Sequence, residues 1–368
     1  MSRVFSFLKR EPVLLISLLA AALSCIFVPP DREYIGYIDF RTLALLYALM
    51  TVVVGLRQAG VFAAMANVLC ARAKRTRSIG IMLVCLCFFS SMLITNDVAL
   101  LTFVPFAVVV LGLAGRRQDL IRVVVLQTVA ANLGSILTPV GNPQNLYLFS
   151  FYNMSIRDFL SVTFPAWLAS LVLILLCCLF LPNTQLNAYR GERATLDQKS
   201  LWLYLALFVV CLLTVLRVLD WPLMLAAVVL VLLVFDRKTL WKADFALLLT
   251  FVGFFIFAGN LARIDAVYAL LQRLLSGREY LTSLLASQVI SNVPAALLLS
   301  GFTANARGLL LGVDIGGLGT PIASLASLIS LKLYSRSEDA KPGRFLLEFM
   351  AVNVILLLVL SLFLHIIA

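Results

Sequence analysis

The sequence predicts an all-α polytopic membrane protein with inverted repeats, two re-entrant hairpins, two broken helices and about nine membrane crossings. The first observation is composition: 62% of the 368 residues are hydrophobic, 13% are charged, and the mean hydropathy is +1.04. Soluble domains carry about 45–50% apolar and about 25% charged residues. The second is that long apolar runs show no alternation, which favours helices over a barrel. The third is that polar motifs recur in the same order in both halves.

Nine apolar segments approach the length needed to cross a membrane, which is about 20 residues. In chain order they are 13–28, 39–56, 119–152 with an interruption, 159–181, 201–217, 221–235, 244–258, 306–333 with an interruption, and 345–367. Two further stretches, 78–113 and 280–304, are interrupted by the polar clusters TND (95–97) and SNVP (291–294). Each is predicted to be a re-entrant hairpin that enters and leaves on one side.

Two further segments, 55–75 and 260–279, are basic and amphipathic, so we expect helices that lie along the membrane interface. Residues 1–181 form the first predicted repeat, and residues 221–368 form the second. Between them, 182–220 supplies a polar cytoplasmic loop and a connecting helix. Because this connecting helix is a single extra crossing, it inverts the second repeat relative to the first.

The net charge of +11 is a topological signal, because Lys and Arg concentrate in cytoplasmic loops. With the N-terminus inside, 21 of the 29 Lys and Arg residues fall on the cytoplasmic side. The eight outside are Arg32, Arg41, Arg157, Arg217, Arg263, Arg273, Arg278 and Arg307. The sequence therefore predicts a multi-pass protein of the cell membrane, in a bacterium the inner membrane, with a cytoplasmic N-terminus. The lipid bilayer explains the charge without a nucleic-acid partner.

Catalytic chemistry has no support in the sequence. The one histidine, His365, lies near the C-terminus, and the seven cysteines include no CxxC pair. Neither a hydrolytic triad nor a zinc site can be assembled from these residues. We therefore expect a protein that is not an enzyme and has no cofactor other than a coupling ion.

The two predicted repeats match at residue level. Residues 94–99 (ITNDVA) match 290–295 (ISNVPA), and residues 133–139 (LGSILTP) match 315–321 (IGGLGTP). Polar residues and Gly-Pro interruptions at corresponding positions of inverted halves indicate a binding site near the membrane midplane. There, unwound carbonyls attract cations and helix N-termini attract anions.

The candidate substrate- and cation-binding residues lie at these hairpin tips and helix breaks. They are Thr95, Asn96, Asp97, Asn132, Ser135, Thr138, Gly141, Asn142, Asn145, Ser291, Asn292, Asp314, Gly316, Thr320 and Ser324. Their hydroxyl, amide and carboxyl oxygens are cation ligands and hydrogen-bonding groups for a solute, and their glycines allow close backbone approach.

Structural alternatives exist for each group. The residues at the tips could only cap the second arm of each hairpin, and the breaks could be kinks filled by neighbouring side chains. A carboxylate at membrane depth costs about 2.5–3.5 kcal/mol on insertion scales. Asp97 could carry a proton, bind a cation, or only stabilise a helix N-terminus. Asp314 could be a cap or a ligand.

Three segments carry a family resemblance: ITNDVALLTFVPF (94–106), LTPVGNPQN (137–145) and SQVISNVPAALLL (287–299). With them the chain resembles the ion transporter superfamily, the group of arsenite permeases, divalent anion:sodium symporters and citrate permeases, and in particular the YbiR-like anion permeases. The resemblance implies a homodimer in which a mobile transport domain moves against a scaffold as an elevator. It also implies possible Na⁺ sites at Thr95 and Asn96 and at Ser291 and Asn292.

The carboxylate symporters of this group carry Ser-Asn-Thr at each tip, whereas this chain has Asp97 and Val293 at the third positions. An aspartate would repel a dicarboxylate unless it is protonated or paired with a cation, so dicarboxylate specificity does not carry over. The predicted function is secondary active transport of a small inorganic or organic anion coupled to Na⁺ or H⁺. One alternative is arsenite or antimonite efflux, because the segment TPIASLASL (320–328) resembles arsenite permeases. The other is Na⁺/H⁺ antiport.

Overall fold

The computed structural model describes residues 11–70, 75–185 and 196–367. In chain order the helices are α1 Pro12–Phe27, α2 Glu33–Tyr37, α3 Phe40–Gln58, α4 Val61–Cys70, α5 Thr76–Ile94, α6 Asn96–Leu113, α7 Leu120–Gly134, α8 Pro143–Phe151, α9 Ile156–Cys178, α10 Gln198–Val215, α11 Trp221–Phe235, α12 Phe245–Ala262, α13 Asp265–Leu275, α14 Glu279–Ile290, α15 Asn292–Leu299, α16 Ala306–Ile315, α17 Leu325–Tyr334 and α18 Pro342–Ile367. Within these ranges there is no β-strand, so the predicted all-α class is confirmed.

Eight of the described helical segments are long and apolar enough to cross a membrane, which confirms a polytopic membrane protein. They include both arms of the first predicted hairpin, α5 and α6, whereas the predicted crossings α1 and α11 have 16 and 15 residues. Helix length alone therefore does not reproduce the predicted division into nine crossings and two hairpins. The depth of the hairpin tip has to be read from its contacts.

Those contacts place the first tip inside the protein. Arm α5 has 19 residues, or about 28 Å at 1.5 Å per residue, so it could reach across the hydrocarbon core. However, the backbone N–H of Asn96, at the tip, donates to the carbonyl of Gly141, which lies in the break between α7 and α8. Asn96 itself is buried. A tip held against a broken helix, away from solvent, is the geometry of a re-entrant hairpin.

The predicted interfacial segments are shorter than expected. In the first, residues 55–58 belong to α3, and the chain turns at Gly60, whose φ is 83°, before α4 begins at Val61. In the second, residues 260–262 belong to α12, and α13 covers only Asp265–Leu275. The sequence pattern missed both turns because the polar residues beside them, such as Arg57 and Arg263, also fit the polar face of one continuous amphipathic helix. The remaining part of 55–75, residues 71–74, lies outside the described residues.

Loops that the charge pattern assigns to the cytoplasm contact one another. Arg117, after α6, forms an ion pair with Glu338, after α17. Thr76, at the start of α5, donates from its backbone N–H to the Thr184 carbonyl, after α9, at 3.0 Å.

The loops assigned to the outside also contact one another. Arg263, after α12, binds Asp31, after α1, at 2.6 Å. The Tyr152 hydroxyl, after α8, donates to the Thr303 carbonyl, after α15, at 3.0 Å. The contacts within each group agree with the predicted assignment of these loops to two sides of the membrane. The cytoplasmic position of the N-terminus stays a prediction.

Among the helices outside the hairpins and breaks, α1 lies along α12 and α3 lies along α10 and α11, whereas α9 and α18 lie against the broken helix α7. A polar contact joins α3 to the first hairpin. Pro105 lies inside α6 and has no N–H for the Leu101 carbonyl four residues before it. The Arg57 guanidinium of α3 donates to that carbonyl at 3.0 Å. The hairpin is thus held beside α3 by a hydrogen bond that its own proline makes available.

Candidate functional site

Both hairpin tips have a backbone conformation that non-glycine residues rarely adopt. Thr95 has φ 67° and ψ 147°, and Ser291 has φ 74° and ψ 153°. This region of backbone space is nearly restricted to glycine, and a residue held there costs about 1–3 kcal/mol. Strain at matched positions of both halves, on residues that carry a hydroxyl, indicates that the tips have a function beyond turning the chain.

Each tip is joined by its backbone to the break of its own half. The Asn96 N–H donates to the Gly141 carbonyl at 3.0 Å, and the Asn292 N–H donates to the Ala323 carbonyl at 2.9 Å. In both tips the asparagine side-chain oxygen then accepts the N–H of the next residue, at 3.0 Å from Asp97 and 2.9 Å from Val293. Each asparagine, the first residue of its second arm, thus satisfies one N–H of the first turn, whereas the N-cap residues Thr95 and Ser291 make no side-chain cap hydrogen bond.

Two threonines fasten the breaks to the first arms of the hairpins. The Thr138 hydroxyl donates to the Met92 carbonyl, and the Thr320 hydroxyl donates to the Gln288 carbonyl at 3.0 Å. Met92 and Gln288 each stand three residues before their tip. These threonines were predicted as ligands, which stays a prediction: their hydroxyl protons are used within the protein, while their oxygen lone pairs could still bind a cation.

Glycines bring the broken helices against the hairpin arms. A β-carbon on Gly134 would lie 2.0 Å from the Phe88 carbonyl oxygen, and one on Gly316 would lie 2.9 Å from the Ser287 side chain. At Gly141 a β-carbon would lie 2.1 Å from the Ser135 carbonyl oxygen. No larger residue fits at these positions without displacing the break from the tip.

Asn132 joins the first tip to the second break. Its side-chain oxygen accepts from Asn96 Nδ2 at 3.1 Å and from Ser324 Oγ at 3.0 Å, and its Nδ2 reaches the Gly317 carbonyl at 3.5 Å. Asn132, Asn96 and Ser324 are all buried. Three predicted site residues from both halves therefore meet at one amide.

The first break is held together by its own polar side chains. Asn142 accepts the N–H of Asn145 at 2.9 Å and donates to Ser135 Oγ at 3.1 Å. Asn145 Nδ2 donates to the Ile136 carbonyl at 3.2 Å, while its Oδ1 is buried with no hydrogen-bond partner among the described residues. Asn142 is also the N-cap of α8, which points the positive end of that helix into the break.

Asp314 stands in the second half at the position that Asn132 holds in the first. It is 2% exposed, it lies near the end of α16, and neither of its carboxyl oxygens has a hydrogen-bond partner within the described residues. The amide side chains of Asn142, Gln144 and Asn145 lie beside it. Asp314 therefore borders the first break, across from its own half, and it is not an N-terminal cap.

Asp97 follows the first tip and has one buried carboxyl oxygen, Oδ1, with no hydrogen-bond partner in the described ranges. Neither Asp97 nor Asp314 forms an ion pair with a described Lys or Arg. Neither carboxyl group therefore has a cationic partner within the described chain, and Asp314 has only neutral amide side chains beside it.

Sequence reasoning did not single out Gln288, whose side chain reaches the second break. Ser327, a polar residue of the 314–327 segment, is buried, and its hydroxyl has no partner within the described ranges. A polar residue inside an otherwise apolar arm was the available signal for Gln288.

Among the described residues there is no group of three His, Cys, Asp or Glu side chains that could hold a metal ion. The Ser291 hydroxyl donates to the Ala323 carbonyl at 3.3 Å.

Comparison with known proteins gives the family. A family model described as citrate transporter matches residues 4–307. An uncharacterized transporter of Methanocaldococcus jannaschii is 35% identical over 277 residues, which cover 74% of this chain and 75% of its own. The inner membrane protein YbiR of Escherichia coli is 30% identical over 315 residues, 83% of each chain. A silicon efflux transporter of Oryza sativa subsp. japonica is 34% identical over 167 residues, 44% of this chain and 34% of its own.

These matches agree with the ion transporter resemblance and with the absence of an enzymatic role. The chain belongs to the citrate transporter family of multi-pass membrane transport proteins.

Proposed function

We propose that this protein is a secondary active transporter that moves a small anionic solute, coupled to Na⁺ or H⁺. The observation that carries the proposal is a pair of carboxyl groups without a cationic partner among the described residues: Asp97, which follows the first tip and has a buried Oδ1, and Asp314, which is buried beside the amides of the first break. An isolated buried charge is costly, and a cation bound beside it removes that cost. A transporter can use such a cation only if its binding is linked to the solute.

The anionic nature of the solute rests on helix N-termini. Helices α6, α8, α15 and α17 begin at Asn96, Pro143, Asn292 and Leu325, directly after the tips and breaks. The starts of α6 and α17 meet at one side chain, Asn132. The positive end of a helix favours a negative ligand, and backbone N–H groups there bind carboxylate or oxyanion oxygens.

In this proposal the coupling cation binds at the first tip, Thr95, Asn96 and Asp97, which the Asn96 N–H joins to the break at 137–142 through the Gly141 carbonyl. In the proposed cycle, hairpins and broken helices move together as a transport domain against a scaffold that includes α1, α3 and α12, by an elevator motion in a homodimer. The hydrogen bonds from tip to break within each half support motion as one body. The N-terminus is cytoplasmic in this proposal, and in a bacterium the membrane is the inner one.

A second candidate is efflux of a small neutral metalloid hydroxide, such as arsenite or antimonite. The similarity to a relative named as a silicon efflux transporter, together with the TPIASLASL segment, favours it. In that case the amide and hydroxyl groups around Asn132 would bind the solute by hydrogen bonds alone. Na⁺/H⁺ antiport without a further solute is a third possibility, which the two carboxyl groups alone would support.

Uptake into proteoliposomes distinguishes these functions. Purified protein would be reconstituted and tested with radiolabelled citrate, succinate, phosphate, sulfate and arsenite, under an imposed Na⁺ gradient, an imposed pH gradient and no gradient. Protein-free vesicles serve as the control. We expect accumulation of one anion that requires a gradient. Gradient-independent movement of arsenite supports efflux, and Na⁺-driven proton movement without a solute supports antiport; either result contradicts the anion proposal.

A further inference from the structure

The second break contains a side chain that its counterpart lacks. Gln288 lies on α14, three residues before the tip at Ser291. Its Nε2 donates to the Gly316 carbonyl at 2.7 Å and to the Leu318 carbonyl at 3.0 Å, and its Oε1 accepts the N–H of Thr320 at 3.0 Å. One amide therefore spans residues 316–320 of the unwound segment between α16 and α17.

The position of Nε2 is one that a cation could take. Carbonyls released where a transmembrane helix unwinds are the groups that coordinate Na⁺ in transporters. Here the carbonyls of Gly316 and Leu318 converge on an amide nitrogen, which carries partial positive charge, and so they have a partner without any ion. A third carbonyl, that of Leu284, lies 3.3 Å from the same nitrogen.

The surrounding backbone is shaped for this amide. Gly319 has a φ of 98°, and a β-carbon there would lie 2.2 Å from Gln288 Oε1. Only glycine combines this backbone conformation with the space that the amide needs. Gln288 and Gly319 therefore fit each other, so the position of the Gln288 amide depends on the glycine at 319.

The first half differs at each corresponding position. Met92 replaces Gln288 and has no group that could donate to a carbonyl, and Leu137 replaces Gly319. In the opposite sense, Asp97 of the first tip is replaced by Val293 in the second. In the first break the Ile136 carbonyl, which corresponds to that of Leu318, accepts from Asn145 Nδ2 at 3.2 Å, but no described side-chain amide bridges two break carbonyls there as Gln288 does. The first tip therefore has a carboxylate and no bridging amide, whereas the second has the bridging amide and no carboxylate.

We propose that the Gln288 amide takes the place of a coupling cation in the second half, so that each protomer binds one Na⁺, at the first tip and break. This inference rests on the proposed function, with Na⁺ as the coupling ion, and specifies its stoichiometry. Asp314 supports the same assignment, because its carboxyl group, which has no cationic partner among the described residues, lies beside the amide side chains of the first break although it belongs to the second half.

Equilibrium dialysis with radioactive Na⁺ tests this stoichiometry on the purified protein. We expect one bound Na⁺ per protomer for the wild type. Gln288→Met places the first half's residue in the second half and frees both carbonyls, so we expect two bound ions. The matched control is Gln127→Met, which removes another buried amide that donates to a carbonyl, that of Phe103 at 3.1 Å, away from the breaks. It should leave one bound ion.

A reciprocal variant covers the case in which Gln288→Met does not fold. Met92→Gln combined with Leu137→Gly gives the first half a crossing amide and the glycine that makes room for it, and Na⁺ binding should be lost. Two ions bound by the wild type, or Na⁺ binding unchanged in the folded reciprocal variant, would overturn the inference. If the wild type binds no Na⁺ but accumulates an anion on a pH gradient, the inference fails and the proposed function stands. If no gradient drives accumulation, both fail.

Discussion

Replacing Asn132 with leucine should weaken the contact between the first hairpin tip and the second break, because this one side chain holds both. Its Oδ1 accepts hydrogen bonds from Asn96 Nδ2 at 3.1 Å and from Ser324 Oγ at 3.0 Å. Leucine has the same number and branching of side-chain heavy atoms and accepts neither bond. The substitution therefore leaves two buried donors without an acceptor.

The magnitude follows from those two donors. A buried donor that loses its partner costs about 1–3 kcal/mol, so the free energy of unfolding should fall by about 2–6 kcal/mol. For a chain of this size, 1 kcal/mol corresponds to about 2 °C in Tm, which gives an expected fall of about 4–12 °C. Uptake should fall as well, since the two halves no longer share a hydrogen bond at the site.

Thermal unfolding of the purified protein, followed by tryptophan fluorescence, measures this effect. The matched control is Thr128→Val, one turn earlier on α7. Thr128 is also buried, but its hydroxyl donates at 2.7 Å to the Val124 carbonyl of its own helix, so no donor on another element is left unpaired. Its Tm should change by about 2 °C or less. Equal Tm values and equal uptake for the two variants would refute the idea that Asn132 joins the two halves.

Three other predictions address the tips and the topology. Asn96→Ala and Asn292→Ala should each abolish gradient-driven uptake at unchanged expression and membrane insertion, and near wild-type uptake in both would reduce these residues to helix caps. Asp97→Asn should weaken the apparent affinity for the coupling ion and flatten the pH dependence of uptake, whereas an unchanged ion and pH dependence would make Asp97 structural. A cysteine placed beside Arg278 should react with an impermeant reagent from outside, while one beside Arg75 should be spared; the reverse pattern would contradict a cytoplasmic N-terminus.

The elements of the fold were predictable where apolar runs end in polar or Gly-Pro residues. The hairpin tips at Thr95 and Ser291 lie inside the polar clusters TND and SNVP, and α8 begins at Pro143 within the predicted interruption of 119–152. The turn at Gly60 was missed because a lone glycine between apolar residues is also compatible with a continuous helix. Arm length was the weakest prediction, since composition does not report how deep a tip lies.

The sequence predicted which residues belong to the candidate site, but not which of them contact one another. Asn132 and Ser324 are 192 residues apart, and no local pattern says that they meet. In the same way, Asp314 reads from sequence as belonging to the second break, yet it borders the first. Such pairings depend on how the two halves cross, which is a tertiary property. The internal repeat identified the corresponding positions, while the differences between them, such as Gln288 against Met92, emerged only with their contacts.

Gradient-driven accumulation by Asp314→Asn tests the central claim, that an uncompensated carboxyl group couples transport to a cation. The substitution keeps the shape of the side chain and gives the second half the amide that Asn132 supplies in the first. The control is Glu279→Gln, a buried carboxylate whose oxygens accept from Thr303 at 3.3 Å and Asn305 at 3.2 Å. With the anion that the wild type accumulates, we expect Asp314→Asn vesicles to equilibrate the solute without concentrating it, while Glu279→Gln vesicles still concentrate it. Accumulation by Asp314→Asn at the wild-type level, with the same ion dependence, would contradict the account.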